Sequence, residues 1–479
     1  MNYKAVFNMI FRLLLVEAAL MMLSVAVALI YHEDPSPLLI TILCEIAVCG
    51  AGLFFTRGDK RIYSREGFVI VALSWVLMSA VGAMPFFISG YIPSFVDAFF
   101  ETVSGFTTTG ATILTDIESL PRGLLFWRSF THWIGGMGVL VFMLAIMPLS
   151  NVRSIYIMRA EVPGPTKSKL VPKMKSTATI LYGIYIFMTL TECLLLVLGG
   201  MPLYDALVHS FGTAGTGGFS IRTASIAYYD SAYLQNVIAI FMLMFGVNFN
   251  IYYLVLIRDL RSVFKSEELR CYLGIVVTSV IIIAVNISGM VANFADSLRF
   301  SLFQVSSIMT TTGFATADFG KWPTLSKTIL VMLMFIGASA GSTGGGIKVS
   351  RLIIGAKSFF NEIKRLLHPR AVQSVRLDGA VVDSTAVRGS LIFTFAYLLI
   401  TAIITIIVSC DGFDPVTSFT AVVACISNIG PGLELVSPTG SFAMFSPVVK
   451  LFLSMAMLLG RLELFPILML FLPSTWRRT

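Results

Sequence analysis

Apolar positions in this chain come in long runs rather than with the alternation of a half-buried strand or the stripe of a surface helix. Stretches of about 20 such residues, the length a helix needs to cross a hydrocarbon core of about 30 Å, recur over nearly the whole length. Two leading spans are expected from about Phe7 to Tyr31 and from about Pro37 to Phe55, followed by a basic segment from Arg57 to Arg65. One arrangement is then used four times: a long apolar helix, a short amphipathic segment ending in a Thr/Gly-rich loop, and a second long apolar helix. The opening helices are expected roughly from Gly67 to Ser89, Ser176 to Leu198, Leu269 to Val291 and Thr385 to Ser409. The closing helices are expected roughly from Leu124 to Leu149, Tyr233 to Arg258, Ser326 to Phe360 and Phe445 to Leu472. The pattern predicts an all-α membrane protein with ten spans, organised as a helix pair over 1–66 and four repeats over 67–160, 161–262, 263–378 and 379–479. A segment too short to cross must enter the bilayer and turn back, or lie on its surface.

The four short segments align without a gap on one glycine: FFETVSGFTTTGAT on Gly110, LVHSFGTAGTGGFS on Gly218, LFQVSSIMTTTGFA on Gly313 and FTAVVACISNIGPG on Gly430. Eleven positions earlier stand Phe99, Leu207, Leu302 and Phe419, expected to mark a helix buried among neighbours. Just upstream, Asp97, Asp205, Asp296 and Asp414 suit the N-terminal end of a short helix, where free N–H groups and the dipole favour negative charge. The opposite, partly negative end would then point into the membrane. Four such ends converging on one axis would favour a cation without any carboxylate. A filter that strips a monovalent cation of water needs rings of main-chain carbonyls, and bare backbone at membrane depth is tolerated only where it lines a cavity. Thr108, Thr109 and Gly110; Thr216, Gly217 and Gly218; Thr311, Thr312 and Gly313; and Asn428, Ile429 and Gly430 meet that demand, the fourth set being the divergent one. Tight Gly/Thr helix packing is the competing account.

Composition agrees with a chain that sits in lipid: 56% of residues are hydrophobic and 13% charged. The formal net charge of +8 does not indicate nucleic acid, because Lys and Arg cluster in the segments between repeats, as in cytoplasmic loops. Those loops and an even span count put both termini on the inside, with the Thr/Gly loops opening outward. The six cysteines make no C-x-x-C pair and the four histidines no ligand-spaced cluster, so no cofactor site is expected.

Residues 104–112 (SGFTTTGAT), 212–220 (GTAGTGGFS), 309–316 (MTTTGFAT), 427–432 (SNIGPG), 132–138 (HWIGGMG), 337–348 (GASAGSTGGGIK) and 460–463 (GRLE) carry a resemblance over essentially the full chain. The sequence resembles the Trk/Ktr/HKT superfamily of potassium transporters, most closely its TrkH branch. The resemblance implies four repeats around one pore with pseudo-fourfold symmetry, potassium as the ion bound at the filter, and a homodimer in the cell inner membrane. It also implies a separate cytoplasmic nucleotide-binding (NAD/ATP-type) ring, for which the basic stretches Arg153 to Lys175 and Lys357 to Arg376 are candidate docking surfaces. Solvated positive-inside loops are the plainer account of most of those charges.

Two features point to a gate. Arg461 is expected near the middle of the last span, where a charge costs at least about 2.5 to 3.5 kcal/mol on an insertion scale and faces a cavity or a partner. Facing the pore it would repel cations; the rival is a structural ion pair. Glu463, two residues on, points to another helix face. The run Gly341, Ser342, Thr343, Gly344, Gly345, Gly346 and, after Ile347, Lys348 should break the third closing helix, since each glycine costs about 1 kcal/mol relative to Ala. A mobile obstructing loop beneath the third filter is expected there, close helix packing being the rival. A Walker A loop is excluded, because Ile347 separates Gly346 from Lys348. HWIGGMG is read as close packing, with His132 and Trp133 as packing or interfacial residues; Arg128, Arg222 and Lys327 are left between structural and entrance-tuning roles. The alternative to a pore is a proton- or sodium-coupled carrier, whose candidate titratable groups are Glu17, Glu45, Glu192 and Glu463. An enzyme lacks any constellation of nucleophile, base or metal ligands.

Overall fold

The computed structural model describes residues 1–57, 64–138, 174–369 and 373–476. The leading helices run over Tyr3–Ile30 and Ser36–Phe55 and pack along each other. The opening helices follow at Ser64–Gly82, extended by Met84–Ile88, then Met174–Leu198, Glu267–Ile287 and Ser384–Val408. Among the described residues six helices are long and apolar enough to cross a bilayer, or seven if the bent pair Ala232–Phe245 and Phe249–Leu256 counts as one span. Their outward faces carry uncovered apolar side chains such as Phe187, Phe395 and Ile406, each about 70% exposed. In water that surface would drive aggregation; in hydrocarbon it carries no penalty.

The short helices are Phe95–Phe106, Leu203–Gly215, Phe294–Met309 and Pro415–Ile426, each far too short to span. Their starts are built as the acidic residues suggest. Asp414 caps its helix by accepting from the N–H groups of Val416 and Thr417, both at 2.9 Å, which also holds its carboxyl below the usual range. Asp97, Asp205 and Asp296 lie in the first turn of theirs. The marker positions need correction: Phe99, Leu207 and Leu302 are half-buried and Phe419 is exposed. Burial falls one residue later, on Phe100, Val208, Phe303 and Thr420. A helix embedded on nearly all sides has no single apolar stripe from which sequence could fix its phase.

The closing helices depart most from expectation, since three of them are interrupted where continuous spans, or a break at the glycine run alone, were predicted. The second is cut into Ala232–Phe245 and Phe249–Leu256, bent by 91°. The third is cut into Thr324–Ile336 and Val349–Leu367 around the glycine run. The fourth is cut into Pro447–Arg461, Phe465–Leu470 and Pro473–Trp476. At the last break Glu463 and Leu464 take φ of 56° and 64°, and the helix restarts with Pro466 in its first turn, where a missing N–H loses no intrahelical bond. The first closing helix is described as Arg122–Met137. Its expected continuation to Leu149 lies outside the described residues, as do Lys60, Arg61, Arg153, Arg159, Lys167, Lys169, Lys173, Arg370, Arg477 and Arg478.

The fold is nearly, not wholly, α. A two-residue antiparallel hairpin, Arg376–Leu377 against Ala380–Val381, turns through Asp378 and Gly379 in a stretch that patterning left as a basic loop. Asp378 accepts from the Glu267 N–H at 2.6 Å, and Lys357, paired with Glu267, donates to the Arg376 carbonyl at 2.8 Å.

Candidate functional site

Each short helix ends in the same way. The N–H groups of Thr108, Thr216, Thr311 and Asn428 donate three residues back, at 3.1, 3.0, 3.1 and 3.2 Å. Those of Thr109, Gly217, Thr312 and Ile429 donate five residues back, at 2.8 Å in every case. This is a Schellman ending, which needs a left-handed residue after the helix and favours Gly there. Here the left-handed residues are Thr108, Thr216, Thr311 and Asn428, with φ between 54° and 60°. A β-branched residue in that region is strained by about 1–3 kcal/mol. The second residue on is the aligned glycine, with φ of 80°, 76°, 86° and 97° at Gly110, Gly218, Gly313 and Gly430.

The four glycines close a cycle. A side chain on Gly110 would be driven into the Gly217 carbonyl oxygen, one on Gly218 into that of Thr312, one on Gly313 into that of Ile429, and one on Gly430 toward that of Thr109. Each glycine therefore packs on the carbonyl that precedes the glycine of the next repeat. All four line one outward recess together with Arg128, Arg222 and the Ser437–Ser441 loop. Asn428 accounts for the divergence of the fourth set: its side-chain amide donates to Thr109 Oγ1 at 3.0 Å and to the Met457 carbonyl at 2.9 Å, tying the fourth repeat to the first.

Beneath these loops the glycine run forms the expected break. Gly337 and Lys348 take φ of 71° and 83°, and the loop returns on the helix it left, Lys348 N–H donating to Ile336 at 2.9 Å. A Cβ on Gly337 would strike Gly345 and one on Gly345 would strike the Ser427 carbonyl. The loop touches the second, third and fourth repeats directly. Its Gly345 N–H donates to Thr311 Oγ1 at 2.6 Å, under the third set. Its Ser339 N–H donates to Gly246 O and its Gly341 O accepts from Phe249 N–H, both at 3.0 Å. These two bonds satisfy backbone groups freed by the 91° bend of the second closing helix, and so account for a break that patterning missed.

Arg461 of the fourth repeat supplies the link to the first. It donates to Thr343 O at 2.7 Å, to Gly136 O at 3.0 Å and to Gly135 O. It stands at the C-terminal end of its helix, not within a continuous span, which corrects the expected mid-helix setting. Glu463 does not pair with it and binds Arg351 instead, at 2.6 Å. Lys348 is buried and donates to Gly344 O. A cavity below the loop is lined by Trp75, Gly136, Phe249, Ser342, Lys348 and Arg461. The glycines of HWIGGMG thus serve close approach, Gly135 against Phe106 O and Gly136 against Gly215, and also present carbonyls to Arg461. His132 is buried with its ring on Gly217 and donates from Nδ1 to Gly105 O at 2.7 Å.

Sequence reading missed two acids. Glu268 accepts from the N–H groups of Ala340 at 2.7 Å and Ser350 at 3.2 Å, one on each side of the glycine-rich turn. Glu101 pairs with Arg128 inside the protein at 2.7 Å. Glu101 lies in an apolar segment, where an acid was the available signal; Glu268 stands beside Glu267 between Lys265 and Arg270, so nothing in the sequence sets it apart. Arg222 pairs with Glu118 at 2.9 Å and Lys327 with Glu434 at 3.9 Å. Among the described residues no group of three or more His, Cys, Asp or Glu is placed to hold a metal ion.

Apolar helices around loops that close on each other's carbonyls describe a membrane protein for cation transport. The family model described as "TrkH: Cation transport protein" matches residues 38–477, and the chain belongs to that family. It is 38% identical over 484 residues to the Trk system potassium uptake protein TrkH of Salmonella typhimurium and 37% to that of Escherichia coli K12, covering 100% of both chains in each comparison. The crystal structure of the potassium transporter TrkH from Vibrio parahaemolyticus superposes with a TM-score of 0.88 at 32% identity, again over 100% of both chains.

Proposed function

We propose that this chain takes up potassium across the membrane through one pore surrounded by its four repeats with pseudo-fourfold symmetry, the filter being the carbonyls of Thr108 to Gly110, Thr216 to Gly218, Thr311 to Gly313 and Asn428 to Gly430. The observation that carries the reading is the closed cycle in which each glycine rests on the carbonyl before the next repeat's glycine. Such an array offers an ion main-chain oxygens in place of water, without a carboxylate to hold it too firmly. The loop from Gly341 to Lys348 is the gate. It crosses beneath the filter in contact with the second, third and fourth repeats, and Arg461 ties it to the first and sets a positive charge on the path. The names of the relatives favour potassium as the ion.

The same reading places the chain in the cell inner membrane with both termini cytoplasmic, as a homodimer regulated by a separate cytoplasmic nucleotide-binding ring. The test is purified protein in liposomes, with potassium, rubidium, sodium and lithium fluxes compared with and without that ring. Equal permeation of all four ions would refute the filter. A coupled carrier is the second reading. It is favoured by one observation: the carboxylates of Glu17, Glu45 and Glu192 are buried with no hydrogen-bond partner among the described residues.

A further inference from the structure

The buried pair Glu101–Arg128 lies outside the filter and the gate, yet every polar arm of it reaches a filter loop. Glu101 sits on the first short helix and Arg128 on the first closing helix, their side chains almost wholly inaccessible. One Glu101 oxygen accepts from Arg128 Nε at 2.7 Å and from the Thr112 hydroxyl at 2.8 Å; the other accepts from the Ile113 N–H at 3.0 Å. Arg128 Nη1 donates across to the Ser220 carbonyl at 3.0 Å, and its guanidinium lies 3.5 Å from the Phe219 ring centroid. Thr112 stands two residues past Gly110 and Ser220 two residues past Gly218, so the pair joins equivalent points of the first two loops just outside the filter.

The join between the second and third loops is made differently, by neutral bonds from Ala315 N–H to Ser225 Oγ at 3.3 Å and from Ala227 N–H to Ala315 O at 3.1 Å. A charge-assisted connection in a buried site is shorter and stiffer than these. A buried charge pair also adds little net stability compared with apolar side chains of the same volume, so stability alone is a weak reason for one here.

We propose that Glu101 and Arg128 are specificity-determining positioning residues: the pair fixes the spacing of the first two filter loops and thereby the discrimination of potassium from sodium. The inference rests on the filter reading above. Neither side chain touches the ion. Glu101 also neutralises a guanidinium that lines the outward recess and would otherwise repel arriving cations.

The test compares Arg128→Lys, Thr112→Val and Glu101→Gln with the filter variant Gly110→Ser in liposomes, reading the sodium-to-potassium permeability ratio per inserted protein alongside thermal melting. Arg128→Lys keeps the charge balance but loses the fork and the planar face on Phe219. It is expected to raise the ratio about tenfold with potassium flux retained, the size expected for loss of a hydrogen bond to a charged group. Thr112→Val removes one arm and should shift the ratio in the same direction by less. Glu101→Gln should raise the ratio and also lower potassium flux, more so at low ionic strength. Should Glu101→Gln fail to insert, the other two variants, which leave no bare buried charge, decide by the same ratio. If Gly110→Ser relaxes the ratio while well-folded Arg128→Lys and Thr112→Val keep the parental value, the positioning role is overturned and the filter stands. If Gly110→Ser also keeps the parental value, the filter reading itself fails.

Discussion

At the scale of single residues, the four Thr/Gly loops combine strain and permission at fixed offsets. A left-handed Thr or Asn is followed two residues later by a glycine whose missing side chain makes room for a neighbour's carbonyl. The glycine was legible because four segments aligned on it, and no other residue both takes positive φ freely and leaves that space. Gly218→Ala should therefore force the second loop away from Thr312 and abolish discrimination of potassium from sodium; rubidium and sodium uptake by equal amounts of inserted protein would show it. The threonine two residues earlier was legible only as a type, not for its work. Thr311 keeps its hydroxyl because Gly345 N–H donates to it, so a residue of the proposed filter carries the proposed gate. Asn428 is likewise explained only by partners far away in sequence, Thr109 and Met457. Asn428→Ala removes the ties to Thr109 and Met457 together, an expected loss of about 1–3 kcal/mol in stability, visible as a lowered melting temperature.

At the scale of elements, the opening and short helices could be read from the chain because their boundaries follow local rules: an acid or Ser at the start, apolar content along the length, a Thr/Gly stop. The interrupted closing helices could not. MFGVNFN, from Met244 to Asn250, is apolar enough to continue as one helix, and it breaks because Ser339 and Gly341 of another repeat take up its freed backbone groups. Tertiary partners made the break affordable, and no local pattern records them. The glycine run was legible as a break, but not the clamp on it. Glu268 holds Ala340 on one side and Ser350 on the other, so Glu268→Ala should loosen the loop and raise potassium flux in the absence of any partner protein. Arg461→Ala should raise it further, by removing three carbonyl ties and a positive charge together. Arg461→Lys separates the two effects: it keeps the charge but cannot reach Thr343, Gly135 and Gly136 at once. Flux near that of Arg461→Ala would assign the closure to the hydrogen bonds, and flux near the parental level to the charge.

For the whole molecule, the question is whether potassium crosses by diffusion through an opened path or in a cycle bound to a second ion. Coupling needs an intramembrane group that exchanges its load on each turnover. Glu463 is already engaged with Arg351, which leaves Glu17, Glu45 and Glu192. Glu17 lies on the first leading helix against Gly82, beside Thr102 and Phe106 of the first short helix, and Glu45 lies on the second. Neither lines the recess shared by the four glycines. A proton taken up there would have no contact with the potassium path except through packed helix. A geometry of that kind favours an uncoupled pore, and the expected result follows: in voltage-clamped proteoliposomes the reversal potential tracks the potassium gradient alone and does not move with a step in external pH. Glu17→Gln, Glu45→Gln and Glu192→Gln should each leave that reversal potential in place, whatever they do to the amount of protein inserted. A shift with pH that any one of these substitutions removes would instead identify the coupling group and replace the pore with a carrier.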